Sequence, residues 1–426
     1  MNKSLGDRSV GVVTPALPKY GPSEVERGEG VYLFSPDGNK YLDFAAGIAV
    51  AATGHCHPKV VSAIQQQAAR LIHACAHVSW YPGYVELAEE LSKIVPALGM
   101  VYFANSGTES IEAAIKMARF VTGRPAIVAF QGSFHGRTLG AASLTGKSAL
   151  RRKYEPLLPA VYHAPYPSCY CCQFHQTPSE CSLECFAYLE RMFGTVVHPE
   201  DTAAIFIEPI LGEGGYYVAP DSYLLKLQAF CRTHSILLVV DEVQSGMGRT
   251  GKMFAWQHIN SFEPDAMTLA KALGSGLPIG ALMGKPELMS KWEKGAHGST
   301  FGGNPVSCSA ALATLEVISE ESLMENAIRV GNIIFERMVA LKDEGFGIGD
   351  VRGKGLMLAM EFVKPDGSPD APRTKKIIEA ALDEGLIIIG GGMFGNVLRI
   401  VPPMIIKKEQ AQEGMDILKK VLQKVL

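Results

Sequence analysis

Six short apolar runs, separated by helical patterns between residues 55 and 305, constrain this 426-residue chain more than any other feature. They lie at 100–103, 126–130, 203–208, 236–241, 266–269 and 279–283. Each is nearly continuous in aliphatic and aromatic residues rather than alternating with polar ones. That is the pattern of strands buried on both faces. Such strands, with helices between them, stack as one mainly parallel sheet covered by helices, an α/β architecture.

The flanks read differently. Residues 30–38 followed by 40–44 form a hairpin around Asp37-Gly38. After Asn304-Pro305 come helical patterns over 307–319 and 324–344, strand-like runs at 355–362 and 396–401, and a last helix from about Lys408. A chain of this length exceeds one compact core. The expected division is 1–54 packing with the C-terminal part, 55–305 as the large domain, and 306–426 as a smaller α+β domain. Forty Lys and Arg against 43 Asp and Glu leave a net charge of −3, which gives no basic face for nucleic acid or an anionic membrane. No run of about 18 apolar residues spans a bilayer, and the N-terminus lacks a signal-peptide core. The expected location is the cytoplasm, with neither nucleic acid nor membrane as partner.

Lys271 stands among apolar and tiny neighbours in Thr268-Leu-Ala-Lys-Ala-Leu-Gly-Ser-Gly-Leu-Pro278. An ammonium in an apolar setting is costly, its pKa falls, and the neutral amine becomes a nucleophile for aldehydes. In Asn105-Ser-Gly-Thr-Glu-Ser-Ile-Glu112, a strand ends and helical spacing begins. Ser106, Gly107 and Thr108 therefore lie at a helix N-terminus suited to a phosphate. The same Ser106 and Glu109 also fit an S-x-x-E capping box that needs no ligand. Asp241 closes an apolar run, at the strand end where open α/β sheets place ligands, and an anion there needs a cationic partner. Phe134 and His135, between Gly132 and Gly136, offer an aromatic face for a flat cofactor, and Arg137 offers a fork for a carboxylate. Arg399 shares a strand face with Val397 and Val401; so placed, it demands an anion, either Glu213 or a substrate carboxylate.

Asp241-Glu242 after four apolar residues also looks like a Walker B strand, and Ala141-Ala-Ser-Leu-Thr-Gly-Lys-Ser148 fits a relaxed P-loop. That ATPase reading is weakened by position. A P-loop follows its strand immediately and opens a helix, and here alanine replaces the first glycine. Nine cysteines is an odd number, against a full disulfide framework. Five crowd together: Cys169, Cys171, Cys172, Cys181 and Cys185, near His163 and His175. Zinc or a local disulfide would suit them, but the spacing is not a clean pair of C-x2-C hooks. The reading adopted is free thiols in a covered loop, with no metal assigned.

In this order, these segments resemble the class III (subgroup II) pyridoxal-phosphate (PLP) aminotransferases of fold type I. The likeness runs from Tyr41-Leu-Asp-Phe-Ala-Ala-Gly-Ile-Ala-Val50 to Leu398-Arg-Ile-Val-Pro-Pro403. It is strongest across Leu238-Val-Val-Asp-Glu-Val-Gln-Ser-Gly-Met-Gly-Arg-Thr-Gly251, the Lys271 segment and Ser299-Thr-Phe-Gly-Gly-Asn-Pro305. Gly47-Ile-Ala-Val50 and Asn396-Val-Leu-Arg399 are most like those of 4-aminobutyrate aminotransferases.

The resemblance implies PLP as cofactor, held as an aldimine on Lys271, which also shuttles the substrate proton. Asp241 would keep the pyridine nitrogen protonated. Phe134 and Val243 would sandwich the ring, with His135 and Glu208 beside it and Gln244 at its phenolic oxygen. Ser106, Gly107 and Thr108 would bind the phosphate, with Thr300 from the neighbouring subunit of a homodimer with shared active sites. Whether such dimers pair into tetramers stays open. For substrates, it implies an ω-amino acid donor and 2-oxoglutarate as acceptor in a ping-pong cycle. Arg137 would take the distal carboxylate, Arg399 the α-carboxylate, Glu213 would pair with Arg399 when there is none, and Ile48 would line the channel. Phe134 departs from the tyrosine of many relatives, and Gly390-Gly-Gly-Met-Phe394 is unusually glycine-rich. Arg137 also occurs in acetylornithine and ornithine aminotransferases, and the cysteine insert resembles one in members that include racemases. A racemase, or an acetylornithine- or ornithine-type aminotransferase, on the same fold is therefore the alternative expectation.

Overall fold

The apolar runs assemble into one seven-stranded sheet. In the computed structural model, which describes residues 4–425, the strands are β1 (Met100–Ala104), β2 (Ala126–Phe130), β3 (Val161–Ala164), β4 (Thr202–Ile207), β5 (Leu237–Asp241), β6 (Ala266–Leu269) and β7 (Gly280–Gly284). Their spatial order is β1-β7-β6-β5-β4-β2-β3. Neighbours from β6 to β3 are parallel, and β7 runs antiparallel to both β6 and β1. The two reversals cancel, so β1 points the same way as the parallel strands. All residues of β2, β4, β5, β6 and β7 are buried, which is why these runs carry no alternation. The edge strand β3 escapes sequence reading because it is short, half-buried and interrupted by His163.

Helices cover the sheet. After β1, Ser106 caps α3 (Gly107–Thr122), counted after α1 (Pro58–Arg70) and α2 (Pro82–Ile94); Gly123 ends it in the left-handed region at φ 67°. Its face of Ile111, Ala114, Ile115 and Ala118 packs into a core with Ile127, Phe206 and Val239. Each large side chain buried there contributes about 1.5–3 kcal/mol. With its chain reversal, this is the expected mainly parallel α/β sheet of fold type I.

Two compact units form, one from residues 58–324 and the other from residues up to 57 together with 325 onward. The large unit thus runs past the limit of 305 drawn from the sequence. The reason is α4 (Pro305–Glu320), which packs on α1 and α2 and buries Cys308, Ala311, Leu315 and Ile318.

The second unit is α+β. Strands Arg27–Glu29, Tyr32–Phe34 and Lys40–Asp43 make an antiparallel meander that Leu386–Ile387 extends in parallel, joining the N-terminal segment to the C-terminal part. The Asp37-Gly38 turn closes as expected, with the Gly38 N–H on the Ser35 carbonyl at 3.0 Å. Ile348–Lys354, Met357–Phe362, Val397–Ile400 and Ile389–Gly391 form a separate antiparallel sheet. The last helix, Lys408–Val425, buries Ala411, Met415, Leu418 and Leu422.

Candidate functional site

The topology brings the chemistry-bearing residues of the large unit to one edge. Asp241 is the last residue of β5, Lys271 follows β6 by two residues, and Glu208 follows β4 directly. Phe134 and His135 lie on the turn after β2, and Ser106 on the turn after β1. All five turns leave the sheet at its carboxyl end, where strand carbonyls stop pairing and open α/β sheets take ligands.

Gly107 is where three of them meet. A β-carbon on it would lie 2.8 Å from Val243 Cγ1, so glycine lets the α3 start approach the Asp241 turn, and it would lie at ordinary contact distance, 3.6 Å, from Cβ of Ala270, the residue before Lys271. Beside it, Thr108 Oγ1 and Thr138 Oγ1 are 2.7 Å apart, and Thr138 donates to Glu112. A β-carbon on Gly136 would strike Thr108, so this crowding requires glycine there too.

His135 is buried, and its Nδ1 lies 2.7 Å from Asp241 Oδ2. The other carboxylate oxygen accepts the Val243 N–H at 3.0 Å. Asp241 is thereby held in one orientation. Burial alone would lower the His135 pKa, but the bond to Asp241 and the charges of Asp241 and Glu208 raise it. His135 is thus the partner of Asp241. Nothing local in the sequence signals a contact across 106 residues.

Glu208 accepts the Phe134 N–H at 2.8 Å and the Gly212 N–H at 2.7 Å, tying the turn after β2 to the loop holding Glu213. Burial pushes its carboxyl up to about 7, against the pull of His135 and with the charge of Asp241. Gln244 is buried with its amide against Gly212. Glu213 is half-buried, and Arg137 is exposed with its guanidinium 5.8 Å from the Phe134 ring centre. Thr300 is exposed in the loop before α4. In the second unit, Arg399 is 3% exposed and its Nε donates to the Gly390 carbonyl at 3.0 Å.

Two strained segments were not legible beforehand. Lys271 sits at φ 45°, a left-handed conformation unusual for a non-glycine residue. Ala46, Gly47, Ile48 and Ala49 all have positive φ, from 48° to 66°, a left-handed turn that includes a β-branched residue. Strain of this kind persists where the surroundings over-determine the backbone, commonly at functional sites.

These residues fit PLP. The first N–H groups of α3 have no carbonyl a turn earlier, which suits a phosphate. His135 Nε2 and Thr268 Oγ1 are buried without a hydrogen-bond partner among the described residues, next to the Asp241 and Lys271 segments. The P-loop alternative fails on geometry. Residues 139–144 are already helical, and the Gly146 N–H is bonded to the Ser133 carbonyl at 2.9 Å. The cysteine insert is not the covered loop expected: Cys169, Cys171 and Cys181 are exposed.

Residues 18–422 match the family model described as aminotransferase class-III. A 5-aminovalerate aminotransferase of Pseudomonas aeruginosa is 40% identical, over 98% of this chain and 97% of its own. A 4-aminobutyrate aminotransferase of Escherichia coli is 38% identical over 98% and 97%. An alanine/serine racemase of Pyrococcus horikoshii is 39% identical over 100% and 91%. Among solved structures, a PLP-bound amine transaminase from an uncultivated Pseudomonas species superposes with a TM-score of 0.89, at 27% identity and covering 98% of each chain.

Proposed function

The chain belongs to the class-III aminotransferases, a PLP-dependent family, and from that premise we propose that it moves the amino group of an ω-amino acid of the 4-aminobutyrate kind to 2-oxoglutarate, in two half-reactions sharing one pocket. The observation that supports this best is the convergence at Gly107 of a phosphate-seeking helix end, the Asp241 turn and the segment of Lys271.

Bound PLP supplies an aldehyde carbon to take the amino group and a ring that withdraws the electron pair freed at the substrate carbon. The protein's part is binding and proton control. Lys271 is the amine that holds the cofactor and then takes and returns the substrate proton. Asp241, oriented by His135 and the Val243 N–H, keeps a proton at the ring nitrogen. Ser106, Gly107 and Thr108 hold the phosphate, with Thr300 of a second copy. Phe134 and Val243 cover the ring faces, Gln244 meets its phenolic oxygen, and Glu208 fixes the Phe134 turn.

Substrate choice rests on carboxylates. Arg137 takes the distal carboxylate common to donor and acceptor. Arg399 takes the α-carboxylate of 2-oxoglutarate, and Glu213 answers it for a donor that has none. Ile48 lines the apolar side of the channel. Incubation with 4-aminobutyrate or 5-aminovalerate plus 2-oxoglutarate should yield glutamate, and Lys271→Ala should lower turnover by at least about a thousandfold. Full activity in that variant, or no glutamate from any ω-amino donor, overturns the reading.

The racemase relative supports a second reading, removal and return of the proton on opposite faces of the same bound amino acid. Racemisation of a single L-amino acid without any oxo acid, with no glutamate formed from ω-donors, would select it.

A further inference from the structure

The cysteine insert takes no part in this chemistry. Between β3 and the helix Glu184–Thr195 the chain has no regular structure, and none of residues 168–185 is buried. Its backbone bonds include local turns, such as the His175 N–H on the Cys172 carbonyl and the Glu180 N–H on the Thr177 carbonyl, both at 3.1 Å. A loop this long, with little apolar burial, needs another source of order to offset its conformational entropy.

Four of its thiols face a common cavity. Cys169 and Cys172 form a C-x2-C hook, Cys181 and Cys185 a second pair, and all four line one cavity of about 30 Å³. That volume suits a single ion rather than an organic ligand. The Leu183 N–H donates to Cys181 Sγ at 3.4 Å. Cys185 lies in the first turn of its helix.

We propose that Cys169, Cys172, Cys181 and Cys185 bind one zinc ion that staples this loop. Four thiolates make the tetrahedral sulfur set that structural zinc sites use, with no position left for a substrate. Each thiol gives up its proton, so four protons leave as one Zn²⁺ enters and no redox change occurs. Binding therefore competes with protons and weakens steeply as pH falls. Among the described residues no three ligating side chains already surround one point, so the two pairs must draw together on the ion, and binding orders the loop.

The test uses the PLP-loaded enzyme purified under reducing conditions, equilibrated with Zn²⁺ and freed of excess. Elemental analysis should find one zinc per chain, absent from Cys169→Ser/Cys172→Ser and from Cys181→Ser/Cys185→Ser, both keeping amino transfer. Cys171→Ser should keep its zinc. On unmutated protein, which avoids any folding defect, a chelator should expose four thiols to alkylation and speed hydrogen exchange across 168–185. Cobalt in place of zinc should give thiolate charge-transfer bands. Four thiols alkylated with or without Zn²⁺, a disulfide mass under those conditions, or iron in place of zinc overturns the proposal.

Discussion

Asp241 and Glu242 are adjacent carboxylates with opposite surroundings. Asp241 is partnered by His135 and the Val243 N–H. Glu242 accepts the Ser245 hydroxyl at 2.6 Å and the Trp256 N–H at 2.9 Å. Burial pushes Glu242 up to about 7 from its ordinary 4.5, despite those bonds and helped by the charge of Asp241. The unfolded chain thus ionises this group at lower pH than the fold does. Its contribution to stability is undiminished below about 4.5, declines as pH rises to about 7, and is constant above. Glu242→Gln keeps an acceptor for Trp256 and removes the charge. Relative to the unmutated protein it should gain up to about 3 kcal/mol between pH 4.5 and 8. Thermal midpoints of both proteins at pH 5 and 8 measure this, and a difference that does not grow with pH refutes it. At this scale the sequence was informative about chemistry and poor about partners. Asp241 and Lys271 stand out because charged groups in apolar runs are costly. That His135 faces Asp241, and that Glu208 spans the Phe134 and Gly212 N–H groups, depends on chain segments that only folding brings together.

Among the elements, α3 shows how far periodicity reaches and where it stops. Its existence and its start follow from Ser106 and the apolar face. The expected reciprocal cap forms only in part. Ser106 Oγ accepts the Glu109 N–H at 3.3 Å, but Glu109 turns to the N–H of Asn105 at 2.7 Å instead of that of Ser106. At the next residue, Gly107 packs closely on Val243, which the sequence could not reveal. Gly107→Ala should raise helix propensity yet push a methyl into Val243, so the helix start must retreat by a few tenths of an ångström. Cofactor affinity should fall about tenfold, roughly 1.4 kcal/mol, while the cofactor-free protein keeps its thermal midpoint. Titration with PLP tests it; an unchanged affinity means that the Gly107 contact does not set the phosphate site. The left-handed turn at 46–49 was equally hidden, because Ala-Gly-Ile-Ala has no turn signature and its backbone is imposed by surroundings rather than by propensity.

For the whole molecule, the shared-site dimer is the remaining proposal, and the surface supports it. Ile72 is 66% exposed, Val78 79%, Trp80 74% and Phe301 61%. They belong to one region, since the His73 and Phe301 rings lie 5.0 Å apart and the Ser299 N–H reaches His77 at 3.3 Å. An apolar region this exposed is what a protein surface keeps for a partner, and Thr300 lies within it. If Thr300 serves the neighbouring copy's phosphate, Lys271→Ala and Thr300→Ala should complement each other. In a mixed dimer, both defects fall on one site and the other site is intact. Equal mixing gives half mixed dimers, so activity should recover to about a quarter of the unmutated level per chain at limiting PLP, although Lys271→Ala alone is inactive and Thr300→Ala alone is weak there. If Thr300 serves its own chain, every site in the mixture carries a defect and no activity returns. Sedimentation of the mixture, beside the assay, shows whether dimers form and exchange, so a failure to mix is read separately from a failure to complement.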